Sequence, residues 1–210
     1  MDAMIQLYLS NSKELLFLGG WDMKLKDIVT VKVGRNISRI KEKQDLTSNT
    51  YTYEDLMDDL NGLFCNSKSS FYKEHSSDKD NHLSKSGEVV FSFVSSKAAI
   101  ISDENIGKII NQNFAKLIIK DKRLDCSYLC YVLNESNTMR KQMAISMQGS
   151  TVRKLTPAIL KDLEVKLPNL EKQQTIGKAY LTLKKRQALA KQQADLEEQH
   201  YLEILKRLDQ

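Results

Sequence analysis

Hydrophobic positions in this chain change rhythm once, about three quarters of the way along. Upstream, short apolar runs are interrupted every few residues by glycine, serine or asparagine. Downstream, from Asn169 to Gln210, there is one glycine (Gly177), no proline, and a composition rich in Leu, Ala, Gln, Lys and Glu, which favours helix. Stepping alternately four and three from Ile176 gives Ile176, Tyr180, Leu183, Gln187, Ala190, Ala194, Glu197, Tyr201, Ile204 and Leu208. All but Gln187 and Glu197 are apolar, which makes a heptad seam. Leu181, Leu189, Leu196, Leu202 and Leu205 widen the stripe. With Asn169 as N-cap, the pattern predicts a helix over about 170–208, roughly 60 Å long at 1.5 Å per residue. A domain of roughly 160 residues cannot cover such a rod. The stripe is therefore expected to pair with another helix; folding back on its own domain is the alternative. Ala190 and Ala194 would allow close approach, and the two polar seam positions would fix register.

Upstream, Val29, Val31 and Val33 suggest a strand ending at Gly34, and Tyr53 to Leu60 a short helix. Glu88 to Val94, Ala98 to Ser102, Phe114 to Ile119 and Leu163 to Leu167 read as strands. Asp125 to Asn134 has helical spacing that continues to about Met143. Thr156 and Pro157 are an N-cap and first helical residue. Arg35 to Thr52 and Asn66 to Ser86 are polar and read as exposed loops. Short strands mixed irregularly with short helices predict an α+β fold, an irregular mixed domain followed by the long helix, and not a regular βαβ series. The expected division is 1–20 as an N-terminal extension, 21–168 as the domain and 169–210 as the helix.

Composition narrows the function. Apolar residues are 41% and charged residues 28% of 210, enough for a core. No apolar run approaches the ~20 residues of a membrane span, and Met1 to Ser10 lacks the features of a secretory signal, so a cytoplasmic protein is expected. Cys65, Cys126 and Cys130 are an odd count, better read as free buried thiols than as a disulfide framework or a metal site. No G-x-G-x-x-G, G-x-x-x-x-G-K-[ST], G-x-S-x-G or H-E-x-x-H occurs. An Asp/Asn-Pro-Pro-aromatic tetrapeptide, which an amino-methyltransferase would need, is also missing. Glu164-Val165-Lys166 has the E-x-K form of many nucleases, but it falls on strand alternation and no suitable Pro-Asp precedes it. These absences point to a binder, not an enzyme. The net charge of +5 is mild, but it is unevenly spread. Lys32, Arg35, Arg39, Lys41 and Lys43 stand against one acid, Glu42, and mark where a polyanion would bind.

Residues 154–176, with a strand ending in Leu167-Pro168 that leads through Leu170-Glu171-Lys172-Gln173 into the helix, resemble the close of a target recognition domain in specificity subunits of type I restriction–modification systems. Trp21 with Lys24 to Ile28 and Gly34 is similar to that domain's opening. Gly87 to Val90 and Ile110 to Asn113 resemble its middle strands, and Gln148 to Thr151 the turn before its closing helix. The resemblance covers about 21–208. It implies a subunit without chemistry or cofactor of its own, which grips double-stranded DNA and holds modification subunits. Those partners bring S-adenosylmethionine and methylate adenine, and an added restriction subunit cuts. Full specificity subunits carry two recognition domains and two antiparallel spacer helices; one of each here implies a half-subunit. A homodimer would read a bipartite palindromic site, and pairing with another half-subunit an asymmetric one.

Given that resemblance, polar loops supply the candidate DNA contacts. They are Lys32, Arg35, Asn36, Arg39, Lys41 and Lys43 in the first loop; Lys68 and Tyr72 in the second; and Arg140, Lys141, Gln148, Ser150 and Arg153 around the third. Candidate dimerisation residues are Ile176, Tyr180, Leu183, Ala190, Ala194, Tyr201, Ile204 and Leu208. Arg39→Ala is expected to weaken specific binding by ~1–3 kcal/mol, read by titration of a cognate duplex, if it pairs with a guanine. Two alternatives stay open: a coiled-coil interaction protein whose head never binds DNA, and an inactive fragment of a split specificity subunit. A recognition domain should gather its basic loops on one face; a protein-binding head should expose an apolar patch.

Overall fold

A computed structural model describes residues 21–36, 50–62, 82–148 and 155–209. Strand β1 (Trp21–Lys24) runs into a one-turn helix α1 (Leu25–Ile28) and then β2 (Val29–Val33). The loose alternation of this stretch thus hides a helical turn. Leu25 and Ile28, three apart, are both fully buried, as i and i+3 on one helical face must be. Helix α2 (Tyr53–Asn61) opens on a capping box between Thr52 and Asp55 and closes at Gly62, whose φ of 62° is left-handed, a standard helix stop. Strands β3 (Val89–Ser92), β4 (Lys97–Ile100) and β5 (Phe114–Ile119) follow. Next come α3 (Cys126–Glu135), α4 (Asn137–Ser146), α5 (Pro157–Asp162), β6 (Glu164–Leu167) and α6 (Leu170–Leu208).

The strands form an antiparallel four-stranded sheet in the order β2-β5-β3-β4 and a separate β1-β6 pair. Both accord with the α+β expectation. In the small pair, Glu164 stands opposite Lys24 and Lys166 opposite Asp22, with Val165 buried between them. The E-x-K spacing is therefore explained by strand alternation and cross-strand charge complementarity. The single helix expected to run on to Met143 is broken at Ser136, which ends α3 and caps α4 by accepting from the Met139 N–H. Cys130 is buried and Cys126 half-buried, both free, and burial pushes the Cys130 thiol well up. Cys65 lies outside the described residues.

Helix α6 sits on α3 through a close crossing. Gln173, fully buried, donates to the Arg123 and Pro168 carbonyls (both 2.8 Å) and accepts from the Asp125 N–H (3.0 Å). Every polar atom of its amide head therefore has a partner, as burial demands. Gly177 is the contact point itself: a Cβ there would lie 2.1 Å from Ser127 Oγ and 2.6 Å from the Tyr128 nitrogen. One turn on, the Tyr180 hydroxyl accepts from Asn134 Nδ2 (2.9 Å). The same Asn134 amide accepts from the Ala98 N–H (2.7 Å) and donates to the Ala98 carbonyl (2.8 Å). In effect it pairs with edge strand β4 as a further strand residue would. This corrects the seam's start. Tyr180 is 5% exposed and so is not available to a second helix, while Ile176 is half-buried against the same core. The open stripe begins at Leu183 (52% exposed), and every residue from Leu189 to Asp209 is exposed.

Candidate nucleic-acid interface

One end of the four-stranded sheet collects the polar features that the sequence scatters. At the end of β2, the Gly34 N–H donates to the Phe114 carbonyl (2.9 Å) and the Arg35 N–H to the Ile110 carbonyl (2.8 Å). Gly34 must be glycine here, since a Cβ would lie 2.1 Å from the Asn111 carbonyl oxygen. Asn111 to Asn113 form a tight turn before β5, closed by the Asn113 N–H donating to Asn111 Oδ1 (2.9 Å). Beside it, the Phe93 N–H donates to the Asn113 carbonyl (2.8 Å), which draws in the β3–β4 turn. That turn presents Val94, 70% exposed, and it bends through Ser96 at φ 54°. Past β4 lies the end of α3, where Glu135 meets Lys97 and Arg140. Arg35, the Asn111–Asn113 turn, Val94, Lys97 and Arg140 thus follow one another along a single rim.

The segment Lys108–Asn113 is the hub. Arg35 bridges Asn111, while Thr50 and Leu83 both bridge Ile109. The Tyr51 N–H donates to the Ile109 carbonyl (2.9 Å) and the Ile110 N–H to the His82 carbonyl (2.8 Å). The residues flanking 37–49, and those at which the chain returns after 63–81, are therefore fastened to one stretch of backbone. Two polar clusters, partly to fully buried, hold this hub. Lys108 pairs with Asp55 (2.8 Å), while Asp59 accepts from the Tyr51 hydroxyl (2.5 Å), the Asn105 amide (2.8 Å) and the Ser102 N–H (3.1 Å). Burial, with the Asp59 charge beside it, raises the Tyr51 hydroxyl far above its usual range. Lys116, 3% exposed, reaches the Leu83 carbonyl (2.8 Å) and pairs with Glu88 (3.1 Å).

Of the candidate contacts, Lys32, Arg35 and Asn36 are exposed at or beside the rim, and Arg140 joins them through Glu135. Lys141 and Gln148 are exposed on and just after α4. That helix turns to the small sheet, where the Gln142 side chain exchanges bonds with the Glu164 backbone (2.8 and 2.9 Å), so these two are not brought to the rim by any contact among the described residues. Arg39, Lys41, Lys43, Lys68, Tyr72, Ser150 and Arg153 lie outside the described residues. Sequence reasoning missed Val94, Lys97, Gln112 and Asn113, all polar or exposed turn and strand-end residues whose relevance comes only from sheet order. Burial would raise the Glu135 carboxyl, but the Lys184 hydrogen bond and the charges of Lys184, Lys97 and Arg140 outweigh it and hold it below its ordinary 4.5. No cluster of metal-binding side chains occurs among the described residues, and no helix there is long and apolar enough to cross a membrane.

By fold, the chain is similar to two named solved structures. It aligns with the HsdS subunit from Thermoanaerobacter tengcongensis at TM-score 0.52 and 18% identity, over 85% of this chain and 40% of that one. It aligns with the type I restriction–modification S subunit from M. genitalium at TM-score 0.54 and 12% identity, over 96% and 47%. A third match is a structure described as bearing on complex assembly and conformational transition of the type I R-M system. Its TM-score is 0.55 at 18% identity, over 96% and 48%. The chain thus spans less than half the length of each of these. No curated protein matched it by sequence. The family model for the type I restriction modification DNA specificity domain matches residues 19–199, and the chain belongs to that family.

Proposed function

We propose that the chain is a DNA-sequence reader of a type I restriction–modification system. Residues 21–168 are its reading head and 169–210 its spacer. The head grips double-stranded DNA with the sheet-end rim, and the open part of the α6 stripe pairs with a second spacer helix, from another copy or another half-subunit. In this reading the chain does no chemistry and works in the cytoplasm. It places modification subunits, which carry S-adenosylmethionine, on a two-part site. The observation that carries the reading is the convergence of Arg35, the Asn111–Asn113 turn, the β3–β4 turn and Arg140 on one end of one sheet. Arginine and amide side chains there suit guanine and adenine edges, with lysines for phosphates. This favours DNA over a protein partner, for which a continuous apolar patch would be expected; among the described residues of the head the exposed large hydrophobics, Val33, Tyr53, Val94, Ile106 and Ile145, come from five different parts of the chain.

The test is a duplex titration over a salt series. Wild-type affinity should fall linearly with log salt, by about 0.9 in slope for each phosphate engaged. Arg35→Ala should cost ~1–3 kcal/mol on a selected cognate duplex and far less on random sequence. Binding indifferent to salt, or an Arg35→Ala effect equal on both duplexes, would remove the rim from the reading role.

A further inference from the structure

Glu135, the last residue of α3, is shared by three cations from three elements. Lys97 comes from β4 (4.0 Å), Arg140 from α4, and Lys184 from α6 (3.2 Å). Arg140 and Lys97 also reach the Asn134 carbonyl, at 2.8 and 3.4 Å, so the negative end of α3 adds about half a charge. The positive start of α4 at Ser136 offsets that half charge, so three cations against Glu135 leave an excess of roughly +2. The cluster is not openly solvated: the Lys97 and Lys184 side chains are 34% and 22% exposed. Lys184 is further fixed over the Tyr180 ring, 5.5 Å from its centroid. Like charges held together with reduced hydration favour an anion between them. Arg140, 52% exposed, offers a planar fork of the kind that suits phosphate oxygens.

We propose that Lys97, Arg140 and Lys184 together form a phosphodiester site at the junction of head and spacer, so that the long helix itself grips the DNA backbone. The inference rests on the DNA reading above and adds to it. A residue of the spacer becomes a DNA ligand, and Glu135 becomes the internal stand-in that a backbone phosphate displaces or joins.

The experiment is titration of the full chain with a short random-sequence duplex across a potassium chloride series, with thermal melts in parallel. Lys184→Gln and Lys97→Gln should each lower the salt slope by about one unit and weaken binding about three- to tenfold, leaving base preference unchanged. Glu135→Gln should do the opposite to binding, tightening it about threefold or more while lowering the melting temperature. A purely structural cluster would lose binding and stability together in that variant. If Glu135→Gln does not fold, Lys184→Gln decides. Wild-type slope and affinity in Lys184→Gln, or weaker binding by folded Glu135→Gln, overturns the proposal while the DNA reading stands. A wild type that binds no duplex at low salt overturns both.

Discussion

Gly177→Ala is expected to destabilise the protein by about 3 kcal/mol, although the same exchange on an exposed helix face stabilises by up to ~1 kcal/mol. The reversal comes from the crossing. The new Cβ would meet Ser127 Oγ at 2.1 Å and the Tyr128 nitrogen at 2.6 Å, and backbone cannot yield as a flexible side chain would. Nor is Ser127 free to rotate away without loss, because its hydroxyl donates to Asp125. That carboxylate caps α3 by accepting from the Tyr128 N–H (2.9 Å). Relief therefore requires α6 to lift from α3, which strains the buried Gln173 bonds on one side and the Tyr180–Asn134 bond on the other. For a chain of this size the melting temperature should fall by about 6–12 °C. Calorimetry checks it; a variant at least as stable as wild type would mean that the two helices do not cross as described.

The second large effect concerns the distal stripe. If the proposed pairing is between two copies, Ile204→Asp with Leu208→Asp should turn a dimer into a monomer. In a symmetric pair each substitution counts twice, and each buried Ile or Leu contributes ~1.5–3 kcal/mol. The dissociation constant should therefore rise by about three orders of magnitude or more. Both residues are exposed within the single chain (39% and 78%), so the head's own unfolding should be almost unchanged. Sedimentation equilibrium should give twice the 24.1 kDa chain mass for wild type and the chain mass for the variant. Equal masses for the two would show that this face does not pair with a second copy of the chain.

Most elements were legible because single-residue chemistry decides them. Thr156 and Pro157 start α5, Asn169 caps α6 by accepting from the Lys172 N–H (2.9 Å), and strand alternation marks β6. Two boundaries were not. In the stretch 21–33 one helical turn lies between two strands, and a period needs more than four residues to declare itself. At Ser136, the residue that ends one helix caps the next. The extent of the open stripe was illegible for another reason. A heptad seam says which face is apolar, not what covers it, and Tyr180 is covered by its own domain's Tyr131 and Asn134. The candidate site was half legible. Arg35 stands out by local charge, but Lys97, Gln112 and Asn113 acquire meaning only from the order β2-β5-β3-β4, which sets distant loops side by side. Lys116 did leave a signal, a lone lysine in the apolar run Phe114–Ile119, which the Glu88 pairing explains.

The most direct test of two coupled reading heads is selection of random-sequence duplexes by the 210-residue chain, followed by sequencing of the bound fraction. Two antiparallel copies should enrich one short motif in inverted repeat at a single fixed spacing, with enrichment lost in Ile204→Asp, Leu208→Asp. A single ungapped motif, or two motifs at freely varying separation, would contradict it.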